Sequence, residues 1–430
     1  MSDIVQDSRR QAWRSTMTAL RHSPDLARLT LVRFAGQFGD GLFQAALGGA
    51  ILFNPERHAD PVAIATGFAV LLLPYSVIGP FAGALLDRWD RRLVLLWANV
   101  LRGVFVLCAA TVLLTGGSQT SLMLLALAAV GVSRFVLAGV SASLPHVVAQ
   151  SWLVPVNSVL ATVGSGVTAA GAATAVATIG FIGAGDDGSG IAVALGVIGS
   201  VVGAFAAGGF ARHALGPEGA RPRSAIRTVS AGLRTGAGAV WQAPGVTVAM
   251  LGIGAHRIVF GIDTLIMILV LRDTETTTAL PGGLAGFGLA VASTATGMLV
   301  AAVVTPLVLP LVGRPRTVTG GLIVATAVQV LLVTTVAQGQ LLAAAFLLGL
   351  AGQTIKLTGD AAMQIDIDDA RRGQVFALQD TVFNIAFLAA IVVAAHSIAP
   401  DGRSPALAFA GALVYLAGLA GVLLVRHVRM

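Results

Sequence analysis

The sequence predicts an all-α membrane protein whose twelve transmembrane helices form two six-helix bundles, with both termini in the cytoplasm. Three observations predict this fold class. About twelve apolar stretches each reach the roughly 20 residues that a membrane-spanning helix needs. Only 11% of the 430 residues are charged, against roughly 25% in soluble domains. The longest polar connection divides the apolar stretches into two sets of six.

The apolar stretches are long enough to be helices, since a membrane-spanning strand needs only about 9–11 residues of alternating character. The predicted spans are residues 29–53, 62–86, 93–116, 120–148, 155–183, 191–211, 246–271, 282–311, 317–336, 340–364, 374–398 and 405–425.

The connection from Arg212 to Pro244, rich in Arg, Gly, Ala and Ser, separates the two halves. Within it, apolar residues recur at helical spacing, which predicts a membrane-surface helix over 224–241. The predicted segments are a cytoplasmic N-terminal segment (1–28), a first six-helix bundle (29–211), a cytoplasmic linker (212–245), a second six-helix bundle (246–425) and a cytoplasmic tail (426–430).

The basic residues predict the orientation of the chain. Lys+Arg number 27 and Asp+Glu 20, which gives a net charge of +7. Most of the basic residues fall in connections on one side of the predicted bilayer, and only Arg57, Arg272 and Arg403 fall on the other. This positive-inside pattern places both termini in the cytoplasm of a protein of the cytoplasmic (inner) membrane. The excess of positive charge therefore reflects topology and does not predict nucleic-acid binding.

The sequence contains a single cysteine, Cys108, so no disulfide and no cysteine-based metal site is expected within one chain. No Gly-x-x-x-x-Gly-Lys-Ser/Thr loop occurs, so ATP is not the predicted energy source. We expect no cofactor, no bound metal and no enzymatic activity.

Polar side chains inside the predicted spans are candidate site residues, because charges retained at bilayer depth usually face a bundle interior or a water-filled cavity. In span 1, one helix face carries four of them at three- and four-residue spacing, Arg33, Gln37, Asp40 and Gln44. Asp40 is predicted either to bind a transported proton or to form a structural ion pair with an arginine of span 1, 3 or 4. The other three residues are candidates for the substrate cavity.

Spans 3 and 4 each carry one arginine, Arg102 and Arg134. Arg134 is followed by Gly139 and a run of small residues, an order that resembles the span-4 motif of drug–proton antiporters. The resemblance implies that Arg134 is a candidate for proton coupling. Arg102 is a candidate for the substrate cavity. The structural alternative for both is a contact with a neighbouring helix.

The second half contains two further polar faces. Span 7 carries His256, Arg257 and Asp263, and span 10 carries Gln353, Lys356 and Asp360. Asp263 and Lys356, the single lysine of the chain, are predicted to couple protons, since lysine loses its charge on burial more readily than arginine. The other four are predicted to line the substrate cavity. The alternatives are a helix-stabilising Lys356–Asp360 pair and a packed, hydrogen-bonded His256.

A dense charge cluster, Gly83-Ala-Leu-Leu-Asp87-Arg88-Trp-Asp90-Arg91-Arg92, lies between spans 2 and 3. Between two apolar segments of membrane length, it predicts a turn on the positively charged side of the bilayer. Its order, Gly-x-x-x-Asp-Arg-x-x-Arg-Arg, resembles the loop between helices 2 and 3 of the major facilitator superfamily.

Other segments resemble the twelve-span exporter branch of that superfamily, which includes macrolide and siderophore (enterobactin) exporters. They are Gly39-Asp40, the stretch from Leu144-Pro145 to Asn157-Ser158, and Arg371-Arg372-Gly373-Gln374-Val375. The resemblance implies the major facilitator fold and transport by alternating access.

The resemblance also implies that the charged loop is a conformational latch. In this interpretation Gly83 lets span 2 approach a neighbouring helix, and Asp87 faces the positive N-terminus of span 11 near Gln374. The three arginines of the loop, Arg88, Arg91 and Arg92, pair with carboxylates such as Asp380. We expect these contacts to close the cytoplasmic side in the outward-facing state.

The predicted function is a secondary active transporter, a proton-coupled exporter of an amphipathic or siderophore-like small molecule. Its expected partners are that substrate, protons and the lipid bilayer, and the chain is expected to be a monomer. Two alternatives remain open: an importer or facilitator of a polar metabolite, and a lipid or glycolipid translocator with a lateral opening. A membrane scaffold or sensor is disfavoured, because the sequence contains no sizeable soluble domain.

Overall fold

A computed structural model describes residues 23–52, 61–86, 89–149, 152–183, 185–216, 225–273, 280–399 and 401–429. These residues form helices and connecting turns, with no β-strand among them. The helices are α1 (Pro24–Leu52), α2 (Pro61–Leu86), α3 (Arg91–Leu114), α4 (Gln119–Val147), α5 (Leu153–Ile182), α6 (Asp186–Leu195), α7 (Val197–Gly208), α8 (Ala225–Gln242), α9 (Pro244–Asp273), α10 (Gly283–Val312), α11 (Arg314–Leu331), α12 (Gln338–Asp366), α13 (Asp369–Ala395) and α14 (Pro405–Arg429), with a 3-10 turn at Val333–Thr335.

Local sequence signals determine several helix ends. Asp90 caps α3, because its Oδ1 accepts a hydrogen bond from the backbone N–H of Arg92 at 3.0 Å. Ser118 caps α4, and its Oγ accepts from the backbone N–H of Ser121 at 3.1 Å. Gly313, with φ of +83°, separates α10 from α11 in a left-handed conformation that glycine adopts without strain.

Ten helical stretches of the described residues are long and apolar enough to cross a membrane. α6 and α7 together form one of them, Asp186–Gly208. α1 and α2 occupy the first two predicted spans but lie outside this group. The polar face of α1 lowers its apolar character, and α2 contributes the shorter apolar helix Pro61–Pro74. The count of twelve spans and the cytoplasmic position of the termini therefore stay predictions.

The predicted sixth span, 191–211, is divided between two helices. α6 ends at Leu195 and α7 begins at Val197, with Gly196 between them. The division lies where this segment passes α1, since a Cβ added to Gly39 would lie 2.9 Å from the carbonyl oxygen of Gly196. The backbones of the two segments are in contact there.

The chain forms two compact units. The first contains Met1–Arg57 and Val77–Thr228, and the second contains His58–Ser76 and Val229–Met430. Helices extend into the predicted terminal segments, because α1 begins at Pro24 and α14 continues to Arg429. The helix predicted over 224–241 is present as α8, while its position on the membrane surface and the predicted segment boundaries stay predictions.

Glycines permit the closest helix contacts in each unit. In the first unit, α1 and α5 meet at Gly41 and Gly171, where an added Cβ would collide with a backbone carbonyl oxygen of the other helix. In the second unit, α10 and α12 meet in the same way at Gly297 and Gly349. Small residues stabilise helix pairs in lipid because they let the two backbones approach and pack.

We expect Gly171→Ala to lower the free energy of unfolding by about 1–3 kcal/mol, since the backbone of α1 leaves no room for the added methyl group. Gly180→Ala is the matched control on α5, because a Cβ there meets no atom within 4 Å and alanine favours the helix. Thermal unfolding of the purified variants measures the difference. Equal stability of the two variants would contradict the tight α1–α5 contact.

Candidate functional site

Asp40 of α1 lies where four helices of the first unit meet. Its Oδ1 accepts a hydrogen bond from Ser133 Oγ of α4 at 2.6 Å, and Arg102 Nη1 of α3 donates to the same oxygen at 3.3 Å. Arg102 Nε donates to Ser200 Oγ of α7 at 2.8 Å, and Nη1 also reaches the carbonyl oxygen of Gly36 at 3.3 Å. The side chains of Arg102 and Asp40 are 3% and 15% exposed, so the guanidinium is buried and the carboxylate is mostly buried.

Two glycines of α1 make room for this guanidinium. A Cβ added to Gly36 would lie 3.3 Å from Arg102 Nη1, and one added to Gly39 would lie 3.5 Å from Nη2. Arg102 therefore lies directly against the backbone of α1, where it can contact a carbonyl oxygen and a carboxylate of the same helix. Of the three arginines considered as partners of Asp40, Arg102 is the one at ion-pair distance.

The other candidates of the first unit lie in its interior as well. Arg33 is buried, and its Nε and Nη1 have no hydrogen-bond partner among the described residues. Gln37 packs against Gly164 of α5, and Gln44 is half-buried. Arg134 is half-buried on α4 and makes interactions of its own. The residues of the polar face predicted for α1 are thus buried or half-buried.

Asp263 of α9 pairs with a neutral side chain in the second unit. Gln329 Nε2 of α11 donates to Asp263 Oδ1 at 2.8 Å and to the carbonyl oxygen of Ala408 of α14 at 3.2 Å. Asp263 is 6% exposed and Gln329 is fully buried. A Cβ added to Gly411 would lie 2.8 Å from Gln329 Nε2, so this glycine provides the space for the amide.

His256 lies about two turns before Asp263 on α9 and contacts α14. Its Nδ1 shares a hydrogen bond with the hydroxyl of Tyr415 at 2.8 Å, and its ring stacks on Tyr415 and on Phe260, with centroids 6.1 and 5.9 Å away. A Cβ on Gly352 would collide with the imidazole, so α12 approaches the ring closely. His256 is therefore a packed, hydrogen-bonded side chain.

A second group of charges joins three helices of the same unit. Lys356 Nζ donates to Asp360 Oδ2 at 2.7 Å on α12. Asp380 of α13 interacts electrostatically with this pair and with Arg257 of α9. Gln353 is half-buried one turn before Lys356. The i, i+4 pair expected from the sequence is formed, and it belongs to a group with two positive and two negative charges.

A cavity of about 320 Å³ opens in the second unit beside Asp263. Of the predicted cavity and coupling residues, Arg257 and Asp263 line it. The Phe387 ring lies 6.1 Å from Phe68 and 5.8 Å from Phe260, and all three belong to its wall. Further lining residues are Phe287, Thr264, Thr294, Met267 and Asn384. The cavity thus offers an aromatic wall, one guanidinium and one carboxylate to a bound molecule.

Several of these residues escaped the sequence-based prediction. Gln329 and Tyr415 are isolated polar groups in predicted spans 9 and 12, and Ser133 and Ser200 are small hydroxyl residues in spans 4 and 6. Isolated residues produce no polar face at helical spacing. A search for every hydrogen-bonding side chain within a predicted span would have found all four.

The structure describes only part of the charged loop between predicted spans 2 and 3. Asp87 and Arg88 lie outside the described residues, and Gly83 lies within α2. Arg91 donates to the carbonyl oxygens of Ala142 at 2.8 Å, Leu215 at 3.2 Å and Leu86 at 3.3 Å, and its Nη1 lies 3.0 Å from His146 Nε2. Arg92 donates to the carbonyl oxygen of Gly208 at 3.0 Å. Asp380 is exposed on α13. The latch stays a prediction.

Two relatives share 43% identity with this chain over 414 residues, which cover 95% of this chain and 91% of each relative. They are uncharacterised MFS-type transporters of Mycobacterium bovis and Mycobacterium tuberculosis. No protein-family model matches the chain. With its helices of membrane length, its buried charges and its cavity, the chain is a multi-pass membrane transporter. It belongs to the major facilitator superfamily (MFS).

Solved transporter structures have the same fold. The nucleoside transporter NupG matches with a TM-score of 0.67 at 11% identity, over 94% of this chain and 99% of that one. The POT family transporter PepTSo matches with a TM-score of 0.66 at 12% identity, over 94% and 97%. At such identities the similarity shows the fold alone. The exporter branch is not shown by these comparisons.

We expect Arg102→Gln to destabilise the protein by about 3 kcal/mol, because it leaves the Asp40 carboxylate buried without a cation. The double variant Asp40→Asn/Arg102→Gln removes both charges and should recover part of that loss. Unfolding of the purified proteins, followed by tryptophan fluorescence, measures both effects. If the double variant were no more stable than Arg102→Gln, the ion pair would not be the source of the loss.

Proposed function

We propose that this protein is a secondary active transporter that works by alternating access and exports an amphipathic or siderophore-like small molecule in exchange for protons. It operates in the cytoplasmic membrane as a monomer, with both termini in the cytoplasm. The proposed direction and exporter branch rest on the resemblance to that branch of Gly39-Asp40, of residues 144–158 and of residues 371–375. The proposed twelve-span arrangement rests on the twelve apolar stretches of the sequence.

The cavity of the second unit is the observation that best supports an amphipathic substrate. At about 320 Å³ it falls at the lower end of the roughly 300–1,000 Å³ typical of small-molecule sites. Phe68, Phe260 and Phe387 offer ring faces and edges to an apolar or aromatic group. Arg257 can donate paired hydrogen bonds to a carboxylate or phosphate of the substrate.

Ionisable side chains within the predicted spans of both units support coupling to protons. The candidates for this role are Asp40, Arg134, Asp263 and Lys356. A charged side chain at the bilayer centre costs about 2.5–3.5 kcal/mol on insertion scales, so charges kept there commonly serve proton or substrate pathways. A proton that binds such a group changes its charge, and it thereby changes which conformation the helices favour.

The test is uptake into inverted membrane vesicles, with and without an imposed pH gradient, across lipophilic cations, siderophores and glycolipids. We expect an amphipathic compound to accumulate when the vesicle interior is acidic and to stop accumulating when a protonophore collapses the gradient. Equal accumulation without the gradient would contradict proton coupling. Accumulation of glycolipids alone would favour the lipid translocator.

A variant of the cavity tests whether the substrate binds there. We expect Arg257→Gln to raise the KM for an anionic amphiphile about tenfold, because it removes a charge-assisted hydrogen bond. Arg272→Gln is the matched control, since Arg272 lies at the end of the same helix and outside the cavity lining. An equal KM for both variants would place the substrate elsewhere.

The latch is tested separately. We expect Asp87→Asn to reduce the transport rate without loss of protein from the membrane, because the proposed latch requires a negative charge at this position to interact with the N-terminus of predicted span 11. Transport in vesicles and immunoblotting of the same membranes measure the two quantities. Wild-type transport rates in this variant would contradict the latch.

A further inference from the structure

In each unit the first predicted span carries a carboxylate, and its partner is charged in one unit and neutral in the other. In each unit this carboxylate contacts the third predicted span of the same half. Asp40 meets Arg102 of α3, with an oxygen–nitrogen distance of 3.3 Å. Asp263 meets Gln329 of α11 at 2.8 Å. The same pair of helices thus carries a charged partner in the first unit and a neutral partner in the second.

The buried polar atoms that lack a hydrogen-bond partner also differ between the two units. In the first unit, the buried atom beside Asp40 that lacks an acceptor is Arg102 Nη2, a donor. In the second, Asp263 Oδ2 and Gln329 Oε1 are both buried and lack a donor within the described residues. Buried polar groups in proteins are almost always hydrogen-bonded, so two orphaned acceptors on one bonded pair indicate a missing donor or cation.

No arginine, lysine or histidine of the described residues lies at ion-pair distance from Asp263. On its own helix the nearest ionisable groups are His256 and Arg257, and His256 is bonded to Tyr415. Of the helices packed against α9, α14 presents Tyr415, α11 presents the neutral Gln329, and α10 has no ionisable residue. In the interior of α12 and α13 the charged residues are Lys356, Asp360 and Asp380, which interact with one another and with Arg257. The other charged residues of these two helices lie at their ends and are Asp366, Asp369, Arg371 and Arg372.

We propose that Asp263 and Gln329 form the binding site for the transported proton, and that Asp40 is a structural carboxylate. This inference rests on the proposed proton coupling and assigns its site. The proton binds Asp263 Oδ2, which converts the carboxylate to a neutral carboxylic acid and turns an orphaned acceptor into a donor. Gln329 donates a hydrogen bond to Asp263 Oδ1 but carries no charge, so the negative charge of Asp263 remains available to a proton. The cavity that Asp263 lines is the route by which the proton arrives.

The test is infrared spectroscopy of the purified full-length protein in lipid nanodiscs, which detects the C=O stretch of a protonated carboxyl group. Exposed carboxylates are ionised at neutral pH and give no such band. We expect the wild type to show one acid band at neutral pH that shifts in D2O and disappears at alkaline pH. The band should be absent in Asp263→Asn and present in Asp40→Asn, with the exposed Asp401→Asn as a surface control.

Gln329→Arg tests the role of the amide, since it supplies the kind of cation that Arg102 supplies to Asp40. We expect this variant to lose the acid band while it keeps Asp263. Gln329→Lys provides the same charge on a slimmer side chain if arginine prevents folding. Retention of the band in folded Gln329→Arg or Gln329→Lys would overturn the role of Gln329. Loss of the band in Asp40→Asn, with retention in Asp263→Asn, would overturn the site.

The last measurement is the effect of Na⁺ on the infrared acid band. If Na⁺ at constant pH abolished the band, the site would bind an alkali cation in place of a proton, and the proposal would be wrong. These spectra need neither a substrate nor transport. A band that follows Asp263 in a protein without gradient-driven uptake would contradict the proposed function alone, while coupled uptake with an unaltered band in Asp263→Asn would contradict the site alone.

Discussion

Hydrogen-bonding groups within a bilayer must find partners inside the protein, because hydrocarbon offers none. The Asp40–Arg102 pair satisfies this requirement for four helices at once. Arg102 binds a carboxylate and a carbonyl oxygen of α1 and a hydroxyl of α7, and Ser133 of α4 binds the same carboxylate. In water such a pair would contribute little. Here it determines which faces of these helices meet, and the close packing of the first unit depends on it.

Small residues make these polar contacts possible. Gly36 and Gly39 let a guanidinium lie against the backbone of α1, and Gly411 provides space for Gln329 in the second unit. Without a strong hydrophobic drive between helices in lipid, backbone packing and buried polar contacts stabilise the fold together. Backbone packing and the buried polar contacts involve the same glycines. A substitution of one of these glycines therefore alters the electrostatics of the site along with the packing.

The sequence predicted most of the helices and the residues of their polar faces, but it did not predict which helices those faces meet. Spacing shows that Arg33, Gln37, Asp40 and Gln44 share one face, since helix geometry is local. The choice of Arg102 as the partner of Asp40 depends on how α3 packs against α1, which spacing does not contain. Isolated groups such as Gln329 form no pattern. The division at Gly196 was missed because glycine is common throughout the chain, with 52 residues, and the sequence does not show which of them lies against α1.

Arg91 connects distant parts of the first unit. Its guanidinium donates to the ends of α2 and α4 and, 124 positions further along the chain, to the carbonyl oxygen of Leu215. During synthesis the membrane receives α2, α3 and α4 long before Leu215 leaves the ribosome. Domains commonly fold in order from the N-terminus as they are made. We therefore expect α2, α3 and α4 to be in place before this acceptor of Arg91 is available, so the hydrogen bond to Leu215 forms late in the assembly of the first unit.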